Sequence, residues 1–67
     1  MKNKTPKALV RRIGRVAYFP HLHAWGWTRY MADGWEIDRL FRTEDEARRA
    51  HSAKFRVAKA LDALLAE

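Results

Sequence analysis

The sequence predicts an α+β fold in which a three-stranded antiparallel β-meander packs on one long C-terminal α-helix. Three observations lead to this expectation. The last third of the chain is an uninterrupted run of helix-forming residues behind a capping sequence. Two segments rich in aromatic and β-branched residues flank an Asp-Gly pair, which is a strong signal of a β-hairpin. A third segment of similar composition precedes them.

The predicted helix begins after Thr43. The Thr43 hydroxyl can accept a hydrogen bond from the first helical turn, and the Glu46 carboxylate can accept one from the backbone N–H of Thr43, which together form a capping box. Glu44, Asp45 and Glu46 also lie where the positive end of the helix dipole favours acids. No Gly or Pro interrupts the chain from there to Glu67.

The predicted helix has an apolar stripe and a basic face at about 100° per residue. We expect the apolar stripe to be buried and the basic face to be exposed to solvent. Lys54 lies inside the apolar stripe, so its ammonium group should reach the edge of it. The stripe consists of Ala47, Ala50, Val57, Ala58, Leu61, Leu64 and Leu65. The opposite face consists of Arg48, Arg49, Ser52, Arg56 and Lys59. The expected (i, i+4) ion pairs are Glu44–Arg48 and Asp45–Arg49.

The N-terminal residues 1–7 contain three lysines and no apolar pattern, so we expect a flexible basic tail. Residues 8–67 should form a single βββα domain. Within it, residues 9–19 are expected to form the first strand, with a β-bulge at Gly14. Residues 20–24 should form a loop.

The predicted hairpin pairs residues 25–31 with residues 35–41 around a type I′ turn at Asp33 and Gly34. With a two-residue loop, Arg29 comes directly opposite Asp38, and the two should form a cross-strand ion pair.

Side chains alternate along a strand, so the hairpin has two different faces. The less charged face, where Gly26 permits close approach, is expected to receive the helix; it carries Gly26, Tyr30, Trp35, Ile37 and Phe41. The other face is expected to be open; it carries Trp25, Trp27, Met31 and Leu40 together with Arg29, Glu36, Asp38 and Arg42. The alternative is that the faces are reversed and the tryptophans belong to the core.

The chain of 67 residues has a formal net charge of +6 and no cysteine. A basic balance in so small a domain is typical of nucleic-acid binding, and less often of binding to an acidic protein or membrane surface. No apolar run approaches the roughly 20 residues that span a bilayer, and no secretory signal pattern is present. We therefore expect a cytoplasmic protein without membrane association.

The sequence does not suggest enzymatic chemistry or a metal site. A zinc site needs three or four ligands, whereas the histidines are His21, His23 and the distant His51. No Gly-rich phosphate loop or nucleophile motif is present. Asp33, Glu36 and Asp38 are close in sequence, but so small a sheet leaves little room for a catalytic pocket. We expect no metal, no cofactor and no enzymatic activity.

A tryptophan-containing strand, a strand ending in Phe41 and the sequence Thr-x-x-Glu-Ala at a helix start resemble the AP2/ERF and integrase-arm type of DNA-binding domain. The resemblance covers roughly residues 11 to 55. It implies that the open face of the sheet enters the major groove of DNA. The matching residues are Phe41, Thr43, Glu46, Ala47 and Ala50, with Trp25 or Trp27 as the strand tryptophan and Arg11, Arg12 and Arg15 as the arginine-rich first strand. Glu36 and Asp38 depart from the pattern, since they would repel phosphates unless Arg29 and Arg42 neutralise them.

Two hypotheses of function follow. In the first, the protein is a nucleic-acid-binding module for DNA, or for RNA, that uses the open sheet face and the basic tail. Its expected contact residues are Arg11, Arg12, Arg15, Trp25, Trp27, Arg29 and Arg42. In the second, it is a small phage- or plasmid-type protein that binds and inhibits a host protein complex, in the manner of an anti-CRISPR or host-takeover protein. Its expected contact residues are Trp25, Trp27, Arg29 and Met31. A monomer or a small homo-oligomer is compatible with either.

Overall fold

The computed structural model describes residues 7–66. Three antiparallel strands form one open sheet in the order β1-β2-β3, and the single α-helix packs against one of its faces. The predicted βββα fold is confirmed. In chain order, the elements are a 3-10 helix Leu9–Arg12, β1 Ala17–Phe19, a second 3-10 helix Pro20–Leu22, β2 Ala24–Met31, β3 Gly34–Phe41 and α1 Glu44–Leu65. Residues 1–6, most of the predicted tail, lie outside the described residues.

The start of α1 is as predicted. The Glu46 backbone N–H donates to Thr43 Oγ1 at 3.1 Å, and the Thr43 N–H donates to Glu46 Oε1 at 3.4 Å, which completes the capping box. Both predicted ion pairs are present on the first turns: Arg48–Glu44 at 2.7 Å and Arg49–Asp45 at 2.8 Å.

The prediction of a strand over residues 9–19 is wrong for its first half. Residues Leu9–Arg12 form a 3-10 helix, because the Asp62 carboxylate of α1 accepts the backbone N–H groups of Leu9 and Val10 at 2.7 and 3.1 Å. Ile13 makes only an isolated bridge to Arg29, and regular pairing begins at Ala17. A contact with a distant helix thus replaces the local β-propensity of this segment.

Gly14 is not a β-bulge. Its N–H donates to the Thr28 carbonyl oxygen at 2.7 Å, and a Cβ atom at this position would lie 2.9 Å from that same oxygen. Gly14 therefore allows the first segment to approach the backbone of β2. The expected loop at residues 20–24 contains the second 3-10 helix, which ends at His23 with φ 51°.

The hairpin turn lies one residue earlier than predicted. Met31 pairs with Gly34, so the loop residues are 32 and 33, and Gly34 begins β3 with φ +120°. Arg29 consequently lies opposite Glu36 and not opposite Asp38. The predicted register is wrong because Gly34 supplies its positive φ at the first strand position instead of inside the loop.

A β-bulge in β3 changes the register further along the hairpin. Trp27 pairs with Arg39 whereas Thr28 pairs with Ile37, so Asp38 is the additional residue. Gly26 is required at this irregularity, since a Cβ atom there would collide with the carbonyl oxygen of Arg39. Its role is to admit the bulged strand, and not, as expected, the helix.

On β2, and on β3 before the bulge, the two hairpin faces are reversed relative to the first expectation. Beyond the bulge, Phe41 lies on the helix face and Leu40 on the open face, as expected. Trp27 is 0% exposed, and its ring centroid lies 5.1 Å from that of His51 on α1 and 5.7 Å from that of Phe41. The face that carries the tryptophans therefore receives the helix. Ile37 pairs with Thr28 and Leu40 with Gly26, so the bulge between them places both on the open face, where both are exposed.

The apolar stripe of α1 is buried only in part. Ala47 and Ala58 are buried, whereas Val57, Leu61, Leu64 and Leu65 are exposed. A helix of 22 residues is about 33 Å long, and its last turns contact the N-terminal 3-10 helix instead of the sheet. The prediction of a buried stripe is therefore wrong for Val57, Leu61, Leu64 and Leu65. Within residues 7–66, no helix combines the length and apolar character that crossing a membrane requires.

Candidate nucleic-acid interface

Asp38 organises the polar contacts between the sheet and the helix. Its Oδ2 atom accepts hydrogen bonds from Trp27 Nε1 at 2.9 Å and from Lys54 Nζ at 2.5 Å, and its Oδ1 atom lies 3.7 Å from the Arg29 guanidinium. The predicted Arg29–Asp38 ion pair is thus confirmed, although the bulge and not direct opposition brings the two together. Lys54, which the sequence places inside the apolar stripe, directs its ammonium group to Asp38, and its side chain is 39% exposed.

The carboxylate of Asp38 is held in its charged form. Burial by itself would raise the pKa of Asp38, but hydrogen bonds from Lys54 and Trp27 and the positive charges of Lys54 and Arg29 outweigh that effect and lower it. The negative charge of Asp38 is therefore neutralised by Lys54 and Arg29 within the protein, and the Asp38 side chain is only 6% exposed. It presents little repulsion to a polyanion outside.

Two contacts, at different points of α1, attach the N-terminal segment to the helix. Asp62 accepts the backbone N–H of Leu9, and His51 Nε2 donates to the Gly14 carbonyl oxygen at 2.8 Å. His51 and Asp62 are three helical turns apart, only about 20° from each other around the helix axis. Residues 9–14 therefore run along the helix over about 16 Å, antiparallel to it.

This arrangement places residues 9–14 alongside α1, and each of them contains a stretch of the chain without acids. Residues 7–32 and residues 47–61 contain no Asp or Glu. We define the basic strip as four exposed cations on these two stretches: Arg11, Arg15, Arg56 and Lys59. A shallow depression beside Arg56 and Lys59 is completed by His51, Ser52 and Phe55. The other two arginines of α1, Arg48 and Arg49, are engaged with Glu44 and Asp45.

The arginines named from the sequence fall into separate groups. Arg11 and Arg15 are exposed on the N-terminal segment. Arg12 is half-buried, where it and Arg29 line a cleft beside Lys54. Arg42 is exposed just before α1. The structure therefore does not gather these residues on the open face of the sheet.

The apolar residues named from the sequence are less accessible than expected. Trp27 is in the core, and Trp25 is half-buried with its ring centroid 5.3 Å from that of Tyr18. Met31 is half-buried at the hairpin end, where it pairs with Gly34. The tryptophan exposed on the hairpin is instead Trp35, which is in edge-to-face contact with Tyr30.

Sequence reasoning did not assign Arg56 and Lys59 to the site, nor Asp62 and His51 as the residues that attach the basic segment. Two features of the sequence indicate Asp62 and His51. Asp62 is an isolated acid in the C-terminal half of an otherwise basic helix, and it shares a helix face with His51.

In the part of the chain that the structure describes, no group of three or more His, Asp or Glu side chains can hold a metal ion.

Comparisons of the chain with protein families, with curated proteins and with solved structures found no match. The resemblance to the AP2/ERF and integrase-arm domains therefore stays a prediction.

Proposed function

We propose that the protein binds nucleic acid, and specifically duplex DNA, through the basic strip. The observation that carries this proposal is that the acid-free residues 9–14 lie along α1. Arg11 lies within that segment and Arg15 directly after it, and Arg56 and Lys59 are exposed on the helix. Asp62 of α1 faces this segment, but its carboxylate accepts the backbone N–H groups of Leu9 and Val10. Positive charge concentrated in this way attracts the phosphate backbone.

The dimensions of the basic strip suit a phosphate backbone. The N-terminal segment runs alongside α1 for about 16 Å. Phosphates along one strand of duplex DNA recur about every 3.4 Å along the axis of the duplex. Several phosphates can therefore be contacted at once, and the exposed Lys7 adds a further cation near the start of the N-terminal segment. Such contacts confer affinity and orientation without sequence preference.

In this proposal the sheet is not the main phosphate-binding surface. Arg11 and Arg12 belong to the N-terminal segment that runs alongside α1, and Arg15 comes directly after it. The open face of the sheet instead exposes the apolar side chains of Ile37 and Leu40. The proposed function is binding without catalysis, and we place it in the cytoplasm.

The test is fluorescence anisotropy of a labelled random duplex, titrated at several salt concentrations between about 50 and 200 mM. The double variant Arg56→Gln/Lys59→Gln removes two charges from the basic strip. If both contact phosphates, the slope of log affinity against log salt should become shallower by about 1.8, because each neutralised phosphate contributes about 0.9. A matched RNA duplex distinguishes the two nucleic acids.

The matched control is Arg48→Gln/Arg49→Gln, which removes the same charge from the same helix where both arginines are paired with acids. Its slope should stay close to that of the wild type. Absence of binding by the wild type at low salt would overturn the proposal, and equal losses in the two variants would show that only net charge matters.

A second candidate function, protein binding, is favoured by a separate observation: the exposed apolar side chains of Val57 and Leu61 beside three cations.

A further inference from the structure

A cleft of about 260 Å³ lies between the N-terminal 3-10 helix, the end of β2 and the C-terminal half of α1. Its lining is mainly apolar, and Val57 and Leu61 are exposed there although they belong to the helical stripe that the sequence marks for burial. The large aliphatic side chains that line the cleft are Leu9, Ile13, Val57 and Leu61.

The charged residues that line this cleft are all cations. They are Arg12, Arg29 and Lys54, and among the described residues no acid lines the cleft. Asp38 is paired with Arg29 and Lys54, but its side chain is 6% exposed whereas theirs are 45% and 39% exposed. The carboxylate thus lies behind the two cations, so the cleft presents positive charge towards solvent.

We propose that this cleft binds an acidic amphipathic helical segment of a partner protein. One or two large apolar side chains of that segment fill the cleft, and carboxylates one helical turn away meet the cationic rim. Helices that lay an apolar face into a groove use anchors spaced at i, i+3 or i+4, and i+7. The exposed Val57 and Leu61, at i and i+4, present a complementary pair.

Charge complementarity favours this occupant over a second copy of the chain. A second copy has a net charge of +6 and would bring a second cationic rim against the first. Like charges placed opposite each other across an interface cost several kcal/mol. An acidic partner instead neutralises the rim while it covers the apolar floor.

On α1 itself, the cleft and the basic strip use different faces, while the N-terminal segment contributes to both, with Leu9, Arg12 and Ile13 in the cleft and Arg11 in the strip. Leu61 and Lys59 are two residues apart, which places them about 160° from each other around the helix axis. The inference therefore does not depend on the proposed DNA binding, and the two surfaces can be altered separately.

The probe is a fluorescein-labelled synthetic peptide of about 16 residues, long enough to form a helix when bound, with Leu at i, i+4 and i+7 and Glu on its other face. Fluorescence anisotropy should show saturable binding to the wild-type protein. The variant Leu61→Asp should weaken binding roughly tenfold or more, because it replaces a leucine-sized apolar contact by a charge that repels the peptide.

The matched control is Leu64→Asp, the same change on the same helix at a residue that is 70% exposed and does not line the cleft. It should bind the peptide within about twofold of the wild type, as expected for a surface change away from the site. A control peptide with Ser in place of Leu should bind weakly, which separates cleft binding from attraction between net charges. Circular dichroism shows whether each variant is folded.

Equal weakening by Leu61→Asp and Leu64→Asp, or equal binding of the Leu and Ser peptides, would overturn the inference. Both aspartate variants should bind the random duplex to the same extent as each other. Loss of peptide binding with retained duplex binding therefore shows an effect on the cleft alone. Loss of duplex binding in Arg56→Gln/Lys59→Gln with retained peptide binding shows an effect on the basic strip alone.

Discussion

Replacing Asp38 by alanine should lower the free energy of unfolding by about 3 kcal/mol at neutral pH. The main contribution comes from Trp27, whose side chain is completely buried and whose Nε1–H donates to Asp38. A buried donor left without an acceptor costs about 1–3 kcal/mol. Lys54 and Arg29 are more than a third exposed, so each lost ion pair adds only about 0–1 kcal/mol.

Thermal unfolding followed by far-UV circular dichroism measures this effect. For a domain of this size, 1 kcal/mol shifts the Tm by about 4–8 °C, so Asp38→Ala should lower it by about 12 °C or more. The control is Glu36→Ala, an exposed acid on the same strand, which should change stability by less than about 0.5 kcal/mol. Similar Tm values for the two variants would refute the central role of Asp38.

The same contacts predict a pH dependence with a definite sign. The pKa of Asp38 is lower in the folded protein than its usual value of about 3.9. Its charge-dependent stabilisation is therefore complete above that value and is lost as the pH falls through the folded-state pKa. The stability difference between wild type and Asp38→Ala should be largest near neutral pH and decrease below about pH 4. A difference that grew in acid would contradict the assignment.

Three further substitutions test the other contacts that hold the fold together. Thr43→Ala removes the hydroxyl that accepts from Glu46 and should cost about 1 kcal/mol in urea unfolding; no change would mean that the capping box is dispensable. Asp62→Ala should increase hydrogen exchange at the first two amides of the N-terminal 3-10 helix and lower stability by about 1–3 kcal/mol, and unchanged exchange would contradict its anchoring role. Gly26→Ala should destabilise by at least about 1–3 kcal/mol, since the added methyl group collides with the backbone of Arg39; a Tm equal to the wild type would show that the bulge can move.

The helix and its start are determined locally. A capping box and two (i, i+4) ion pairs involve residues at most four positions apart, so their energies are set before any tertiary contact forms. For the same reason the sequence indicated the hairpin and the order of the strands. It also indicated the basic character of the protein, since net charge does not depend on the fold.

The hairpin register and the identity of its buried face depend on contacts beyond the hairpin. The register changes at an extra residue, Asp38, whose carboxylate has partners on β2 and on α1. The Asp-Gly pattern predicted a turn in which both residues lie in the loop, and alternation alone left two faces of comparable apolar content. Trp27 determines which face is buried, because it packs against His51 in the core and its indole N–H donates to the largely buried Asp38 carboxylate.

By itself, therefore, the sequence determined the α-helix, the two strands of the hairpin and the positive charge. Propensity and capping act over a few residues, and net charge does not depend on the fold. Only the tertiary structure decided where that charge is concentrated. Asp62 binds the backbone of Leu9 across 53 positions, and this long-range hydrogen bond turns a predicted strand into a 3-10 helix beside α1. Such a contact has no periodicity that a sequence can display, because its two partners are far apart in the chain and meet only in the folded structure.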